Sequence, residues 1–317
     1  MRLPPYVHGW VRLTEHAGAF LQPDGGLGLS NAGVVAGRDG TTLVDTFFDL
    51  AHTRALLAAV AEATRRPVRR VLNTHHNGDH CWGNQLCREA EIVGHRRCRE
   101  LMLAFPPALL EHLRTVPPDR PGAALLREGL ARFDFRGIEL VPPTVVFDDR
   151  LTAYVDGLAL ELRWLGPAHT AGDVVAWLPD EGVLFTGDLV FRQCAPLGWE
   201  GTFARWIEAL DALIALRPAL VVPGHGPVGG VEALEEQRAY LAYVVGEARH
   251  GFARGLSPLD AALAIDLGPY ADWAEPERIV FLVARAYREL RGEPDDAPID
   301  FLAVADAMAE YRRRRPR

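Results

Sequence analysis

Residues 73–84 read NTHHNGDHCWGN. They overlap the end of the run VRRVLNT at 68–74, whose β-branched and apolar residues predict a buried strand. Three histidines and an aspartate therefore stand in the loop that follows a strand. Neutral imidazoles and carboxylates are side chains that bind divalent metals, so this loop predicts a metal site. Asn77 lies among these candidate ligands, and the role of its amide is the main question that the sequence raises.

The segments around this loop alternate between strand and helix patterns. Residues 32–48 predict two strands around the turn RDG, and residues 51–66 carry Ala and Leu at helical spacing. Together with the strand at 68–74 they give a β-β-α-β opening. Beyond the loop, the helix-like GNQLCREA, the strand EIVG and a helix over about 96–105 continue the alternation.

The second half of the chain begins with an interruption. Residues 106–136 contain several prolines and predict a helical insertion that serves as a lid or cap. Residues 138–190 then hold six β-type segments, from IELV to GVLFTGD, and predict a second sheet. TFARWIEALDALIAL is an amphipathic helix, ALVVPGHG is a buried strand that ends in a histidine loop, and residues 230–317 are mostly helical.

The composition is that of a folded globular protein. The 317 residues are 49% hydrophobic and 24% charged, with a formal net charge of -8. An acidic chain of this kind argues against a dedicated nucleic-acid or anionic-membrane surface. The sequence has no apolar run of the roughly 18 residues that a membrane span needs, and no apolar leader at its start, so we expect a cytoplasmic protein. Four cysteines without a CxxC pair are expected to be reduced.

Six candidate ligands end or follow predicted strands, and such loops meet at one rim of a layered α/β body. These residues are His75, Asp79, His80, His169, Asp188 and His225. Metal-assisted hydrolysis needs neutral imidazoles and ionised carboxylates around a cation that keeps a position open for water. The sequence supplies this set of side chains.

The motifs THHNGDH, GPAHTAGD, FTGDLVF and VVPGHG occur in this order, and their spacing resembles that of the metallo-β-lactamase superfamily over residues 30–228. The resemblance implies an α/β fold, a four-layer αββα sandwich with the metal loops at one rim. It implies a superfamily domain over residues 1–229, with the insertion at 106–136, and a helical C-terminal extension over 230–317. The extension is similar to those of the glyoxalase-II-like and thioesterase-like branch.

The resemblance also implies two metal sites. The first motif of the family reads H-x-H-x-D-H, and its second histidine falls on Asn77. The first site would use His75, Asn77 and His169. The second would use Asp79, His80 and His225, with Asp188 between the two metals and Asp45 supporting the loop from behind. We expect one or two zinc ions, with iron or manganese as alternatives.

Asn77 is a departure from the family pattern, because a carboxamide oxygen is a weaker zinc donor than imidazole. Three interpretations follow. The first site is empty or weakly occupied; both sites fill, with Asn77 as a ligand or as a hydrogen-bond donor to substrate; or a harder metal is used.

The expected function is a metallo-hydrolase, in which metal-activated water attacks an ester, thioester, lactone or amide-type bond of a small molecule. Asp79 and Asp188 would orient the nucleophile and carry its proton. Three aromatic side chains and one guanidinium would line the substrate pocket: Trp82, Phe191, Trp199 and Arg192. Two alternatives stay open, namely a non-hydrolytic metalloenzyme (a lyase, a dehydratase or an iron-dependent oxygenase) and a non-catalytic binding protein.

The expected partners are a small-molecule substrate and a second copy of the chain as a homodimer. Only 18 residues separate His169 from Asp188. This gap leaves no room for the nucleic-acid-handling domain that nuclease relatives carry there. We therefore expect neither a nucleic-acid nor a membrane partner.

Overall fold

The computed structural model describes residues 3–115, 117–295, 297 and 299–315. The amino-terminal half forms a seven-stranded sheet in which the strands follow one another in chain order. Its strands are β1 (Gly9–Arg12), β2 (Ala17–Leu21), β3 (Ala32–Ala36), β4 (Thr41–Val44), β5 (Val68–Asn73), β6 (Glu91–His95) and β7 (Val145–Phe147). Strands β1 to β4 pair antiparallel, and β4 to β7 pair parallel. The carboxyl ends of the parallel strands therefore meet at one edge.

The second sheet has five strands in the order β12-β11-β10-β9-β8. They are β8 (Arg150–Val155), β9 (Leu158–Trp164), β10 (Val174–Leu178), β11 (Val183–Phe191) and β12 (Leu220–His225). Strands β8 to β11 pair antiparallel, and β11 pairs parallel with β12. This parallel pair brings the ends of β11 and β12 to the same edge of the sheet.

The two sheets face each other across an apolar layer. Val35 and Leu72 from the first sheet belong to the same buried cluster as Leu162, Val174 and Phe185 from the second. Alternate side chains of a strand point to opposite faces, so each sheet also presents an outer apolar face to helices. Burial of the inner faces fixes the registers of both sheets.

Helices cover both outer faces. The described α-helices are α1 (Leu50–Thr64), α2 (Gly78–Cys81), α3 (Arg96–Ala104), α4 (Pro107–Thr115), α5 (Pro121–Leu130), α6 (Phe203–Ile214), α7 (Glu232–Ala253), α8 (Pro258–Ala264), α9 (Ile279–Leu290) and α10 (Phe301–Arg314). Leu56 and Val60 of α1 pack on the first sheet. Trp206 and Leu210 of α6 pack on the second. The four-layer αββα sandwich expected from the sequence is confirmed.

His95 ends β6, precedes α3 and makes two hydrogen bonds through its ring. Its Nδ1 accepts from the Arg97 amide at 3.2 Å, and its Nε2 donates to the Asp148 carbonyl at 3.1 Å. The ring also stacks on Trp164, with 4.9 Å between centroids. Each ring nitrogen thus has the partner that the neutral imidazole needs. Burial lowers the pKa of His95 accordingly.

The insertion and the C-terminal helices form one packed unit above the metal loops. Helix α5 lies against α10, where the Arg120 guanidinium binds Asp306 and the Gly122 amide donates to the same carboxylate at 2.7 Å. Helices α7 to α10 share a buried core with α6 and β11. The helical extension at 230–317 is therefore built onto the sandwich, and the domain boundary at 229/230 remains a prediction.

Three local expectations are wrong. IELV at 138–141 makes no strand, because Ile138 and Leu140 pack against the aromatic cluster beside the metal loops without pairing along a ladder. TVVF forms β7, which extends the first sheet rather than the second. GNQLCREA gives a 3-10 turn, Trp82–Cys87, in place of a regular helix. The sequence reading also missed β1 and β2, and these strands complete the antiparallel side of the first sheet. Within the described ranges, no helix has both the length and the apolar character that crossing a membrane requires.

Candidate metal centre

The candidate ligands come from five places on one rim. His75 and Asn77 follow β5, Asp79 and His80 lie in α2, His169 precedes β10, Asp188 lies within β11, and His225 ends β12. The register between β11 and β12 is irregular around Gly187, which has φ +50 and approaches Thr74 closely. A Cβ there would lie 2.5 Å from the Thr74 hydroxyl oxygen, so only glycine fits. An irregularity of this kind re-aims the next side chain, which here is Asp188.

At the first site, the structure brings together His75, His169 and Asp188. Their ligand atoms lie within 4.8 Å of one another, and all three side chains are buried. The Asp188 Oδ2 lies 3.4 Å from the His169 Nε2 and 3.8 Å from the His75 Nε2. Asn77 stands beside this group, with its Oδ1 2.8 Å from the His169 Nε2.

The second site is formed by Asp79, His80 and His225, which also lie within 4.8 Å of one another. The Asp79 Oδ2 lies 3.2 Å from the His225 Nε2 and 3.7 Å from the His80 Nε2. Asp188 contacts this site as well, because its Oδ1 is 3.1 Å from the His80 Nε2 and its Oδ2 is 3.5 Å from the His225 Nε2. Asp188 thus contacts both groups.

Asp45 supports both sites from behind. Its carboxylate accepts from the Thr74 amide and the Thr74 hydroxyl, each at 2.7 Å, and from the His80 Nδ1 at 2.9 Å. An ionised carboxylate can only accept hydrogen bonds, so the His80 Nδ1 carries a proton. Although burial opposes it, Asp188 and Asp79 raise the pKa of His80 well above its usual value, so Nε2 also holds a proton until a metal displaces it, and its lone pair then faces the second site. This carboxylate–histidine contact is the arrangement that orients metal-ligating histidines.

His169 is oriented in the same way by a main-chain carbonyl. Its Nδ1 donates to the Leu197 carbonyl at 2.9 Å. Because a carbonyl cannot donate, the neutral ring carries its proton on Nδ1 and a lone pair on Nε2. That lone pair faces the Asn77 Oδ1, which is also an acceptor. Two acceptors at 2.8 Å need a cation between them or a turned amide that presents its N–H.

The residues of both sites fit a divalent metal. The Nε2 atoms of His75 and His80 are buried without a hydrogen-bond partner, as is the Asp188 Oδ1. Buried polar atoms are rarely left unpaired, and these three belong to the two ligand groups, so they indicate missing positive ligands there. Burial and the neighbouring His80 hold the pKa of His75 well below its usual value, which leaves the neutral ring that a metal requires.

The carboxylates show the same need for positive charge. Although burial opposes it, Asp188 and Asp79 raise the pKa of His225 to about 9. A proton on this ring therefore supplies charge that a bound cation would otherwise provide. Metal binding and protonation compete at such sites, because the metal binds the deprotonated ring.

The two sites open into a cavity of about 560 Å³. Its floor contains Asn77, Asp79, His169, Asp188 and His225, together with His76 from the spacer position of the motif. Its walls are mainly apolar and include Phe48, Trp82, Phe105, Leu109, Leu110, Leu113, Leu126, Leu130, Phe191, Leu197, Trp199, Ile299, Phe301 and Leu302. We call this space the active-site cavity. Three of the four residues expected at the substrate pocket line it: Trp82, Phe191 and Trp199.

Arg192 is placed differently from the expectation. Its Nη1 donates to the Val228 carbonyl at 2.7 Å, and Glu232 and Glu236 lie 3.3 and 3.5 Å from its other nitrogens. A guanidinium with these partners is not free to bind a substrate anion, and Arg192 does not line the active-site cavity. Its role is to fasten the end of β11 to the start of α7.

Sequence reasoning missed most of the cavity wall. Leu109, Leu110 and Leu113 come from α4, and Phe301 and Leu302 come from α10, far along the chain. Their apolar spacing is that of any amphipathic helix, so no local signal separates cavity residues from core residues. The Pro-rich insertion gave the one hint, since it predicted a cap over a site.

Two facing sheets between helical layers, with a histidine and aspartate centre at one rim, define an αββα protein built to hold a metal. The chain belongs to the metallo-beta-lactamase superfamily, whose family model matches residues 25–225. The match covers the strands that carry every candidate ligand, from His75 to His225.

Three curated relatives show the breadth of the family. The metallo-beta-lactamase type 2 of Bacteroides fragilis is 25% identical over 242 residues, covering 75% of this chain and 82% of that protein. The linear primary-alkylsulfatase of a Pseudomonas species is 26% identical over 262 residues, covering 73% and 49%. A hydroxyacylglutathione hydrolase from Synechococcus is 29% identical over 175 residues, covering 53% and 54%. The chain spans about half the length of the last two relatives. These similarities support a metal-dependent hydrolase in the broad sense.

Proposed function

We propose that the protein is a zinc-dependent hydrolase that cleaves an ester, thioester, lactone or amide-type bond in a small molecule with an apolar part. One observation carries the proposal. Two groups of imidazole and carboxylate ligands lie side by side, and four of their members, Asp79, His169, Asp188 and His225, line the floor of a cavity whose walls are mainly apolar. Such a cavity places a substrate's reacting bond against the polar floor and its remaining atoms against the walls.

A bound divalent cation supplies Lewis-acid polarisation of the substrate and lowers the pKa of water toward about 7. The chain's own residues supply the positioning. Asp79 lies in the cavity floor, with its Oδ2 3.2 Å from the His225 Nε2, where it accepts the proton of the attacking water. Asp188 lies between the two sites and orients that water. The apolar walls exclude other water from the reacting bond.

The cavity selects against an anionic distal group. Among its described lining residues, Arg278 is the one arginine, and it is already paired with Glu275 and the Ala195 carbonyl. Glu200 and Asp300 also line the cavity and would repel an anion. The proposed substrate therefore carries an apolar chain or ring without negative charge away from the reacting bond. A carrier group with several carboxylates or phosphates fits these walls poorly.

A second candidate is a non-hydrolytic metalloenzyme, namely a lyase, a dehydratase or an iron-dependent oxygenase. Asn77 favours it, because an amide oxygen beside His169 makes the first site more suitable for a harder metal than zinc. Metal content and dependence on oxygen separate the two candidates.

The test begins with protein purified without chelator, followed by metal analysis and a substrate panel. The panel contains acetyl and hexanoyl esters, a hexanoyl thioester, a lactone, an anilide and an alkyl sulfate, the last chosen because of the alkylsulfatase relative. We expect turnover that is lost on chelation, restored by zinc, and reduced about 10²–10⁴-fold by Asp79→Ala. No turnover of any substrate with zinc, iron or manganese would contradict the proposal.

A matched pair of variants tests the apolar wall. Leu110 lines the cavity, whereas Leu103 is 54% exposed and does not. We expect Leu110→Glu to lower kcat/KM for hexanoyl substrates at least about 10-fold more than for acetyl substrates, because a charge in the apolar wall opposes binding of the hexanoyl chain. Leu103→Glu should leave this ratio unchanged. Equal effects of the two variants would show that the wall does not bind the chain.

A further inference from the structure

Arg285 in α9 is an arginine that is only 4% exposed. Its nearest carboxylate is Glu289, whose Oε1 lies 3.8 Å from its Nε, and its Nη1 is buried without a partner. Burial lowers the pKa of Arg285 to about 10. Part of the lost hydration is replaced by the ring of Phe203, whose centroid lies 4.9 Å from the guanidinium carbon. A buried cation with so little compensation is costly for folding alone.

The hydrogen bonds of Arg285 reach the segment that carries His169. Its Nη2 donates to the Ala168 carbonyl at 2.9 Å and to the Glu200 carbonyl at 2.7 Å. Ala168 directly precedes His169, and Glu200 lies three residues after Leu197 in the loop between β11 and α6. One nitrogen of the C-terminal extension therefore holds together two segments that lie about thirty residues apart in the chain.

These two segments determine the direction of the His169 ring. The Leu197 carbonyl accepts from the His169 Nδ1, and the His169 carbonyl accepts from the Trp199 amide at 2.6 Å. The guanidinium fills the space behind the loop, since a Cβ on Gly198 would lie 2.0 Å from the Arg285 Nη1. A shift of this loop would move the Leu197 carbonyl and turn the imidazole with it.

We infer that Arg285 is a positioning residue that directs the His169 Nε2 toward the first site. The C-terminal extension thereby controls a ligand of the metal centre from behind, through two main-chain carbonyls. The inference rests on the proposed role of His169 as a metal ligand, but the orientation of the ring can be measured without any metal.

The experiment compares Arg285→Met, Arg285→Lys and Arg288→Met in the full chain. Arg288 lies in the same helix and binds Glu293 and the Ala297 carbonyl, so its loss perturbs the extension without touching the His169 segment. The first readout is the Nδ1–H resonance of His169 in metal-free, ¹⁵N-histidine-labelled protein. Its absence in a His169→Gln variant assigns the signal.

We expect this resonance to exchange with water at least 10-fold faster in Arg285→Met, less so in Arg285→Lys, and at the native rate in Arg288→Met. In zinc titrations, Arg285→Met should weaken binding at the first site about 10- to 100-fold, the range for residues that orient a ligand, and leave the second site unchanged. A zinc effect confined to the first site distinguishes positioning from a general loss of stability.

Two results would overturn the inference. One is a folded Arg285→Met variant whose His169 resonance exchanges at the native rate. The other is an equal effect of Arg285→Met and Arg288→Met on that resonance. If Arg285→Met does not fold, the Arg285→Lys variant decides by the same resonance. Loss of hydrolysis with an unchanged resonance would count against this inference alone, whereas absence of hydrolysis in the native protein would count against the proposed function alone.

Discussion

Replacing Asn77 by histidine changes one donor of the first site and leaves the second site intact. In the native chain the His169 Nε2 lone pair faces the Asn77 Oδ1 at 2.8 Å. Two ligands that share a metal at about 2.05 Å lie about 2.9 Å apart at a right angle and about 3.3 Å apart at the tetrahedral angle. Asn77 is therefore close enough to act as a ligand together with His169. Without a metal, the amide turns and donates its N–H to Nε2.

The size of the effect follows from this competition. A metal entering the native first site must displace an amide–imidazole hydrogen bond worth about 0.5–1.5 kcal/mol, which is a factor of roughly 2 to 13 in affinity. A histidine at position 77 removes the competing amide N–H when its own Nε2 is deprotonated. It also adds a nitrogen ligand, which zinc prefers to an amide oxygen. We expect Asn77→His to tighten zinc binding at the first site by at least about 10-fold, or about 1.4 kcal/mol.

The assay is calorimetric zinc titration of chelator-stripped native, Asn77→His and Asn77→Ala protein. Asn77→Ala is the matched control, because it removes the competing hydrogen bond without supplying a donor. It should therefore bind zinc at the first site more weakly than Asn77→His does. Two equally tight sites in the native protein would refute the reasoning, since Asn77 would then not weaken the first site. Turnover need not rise with affinity, because Asn77 also lines the active-site cavity.

Three further predictions concern the metal, the pH dependence and the core. Asp79→Ala and His225→Ala should lower zinc content measured by mass spectrometry more than His75→Ala does, because the second site has three ligands of its own besides the shared Asp188, whereas an amide takes the place of a histidine at the first; equal losses would contradict this ranking. Burial lowers the pKa of His95 in the folded protein, whereas its pKa in the unfolded chain is about 6.5. The neutral ring therefore contributes stability above a pH of about 6.5, and this contribution is lost as the pH falls through the lower pKa of the folded protein. In urea titrations, the difference in unfolding free energy between the native protein and His95→Gln should shrink as the pH falls below about 6.5. A difference that stays constant with pH would disprove this prediction. Leu210→Ala, at a fully buried position, should cost about 2–5 kcal/mol in the same titrations, and a loss below about 1 kcal/mol would argue against its place in the core.

The fold was predictable where local pattern and topology agree. The two strands around RDG, the helix that follows and the strand before the histidine loop all form, because apolar periodicity and turn chemistry favour the same elements. The prediction failed for IELV, since a strand needs a partner as well as a pattern. Ile138 and Leu140 pack into an aromatic cluster, whereas TVVF finds its partner in β6. Strand pairing between distant segments is not encoded in local periodicity.

The candidate site was likewise predictable only in part. The place of His75 at the rim could be expected because it follows a strand, and the family resemblance ordered the other candidates, although Asp188 lies within β11 rather than after it. Arg192 was misassigned, since its neighbours in sequence suggested the pocket while its actual partners lie on α7. The walls from α4 and α10 could not be located, because their contact with the metal loops depends on how the insertion and the extension pack together.

The orientation of the Asn77 amide depends on contacts that the sequence motif does not contain. An amide at a histidine position is ambiguous, because either end of it can face a neighbour. The ambiguity is reduced by a chain of contacts that starts outside the motif. Arg285 holds the loop, the Leu197 carbonyl takes the Nδ1 proton of His169, and the lone pair on Nε2 is then fixed toward Asn77. Asn77 can therefore meet His169 in two ways only, by sharing a cation through its oxygen or by donating through its nitrogen. Each way predicts a different zinc stoichiometry, so the number of tightly bound zinc ions in the native protein reports which end of the amide faces the histidine.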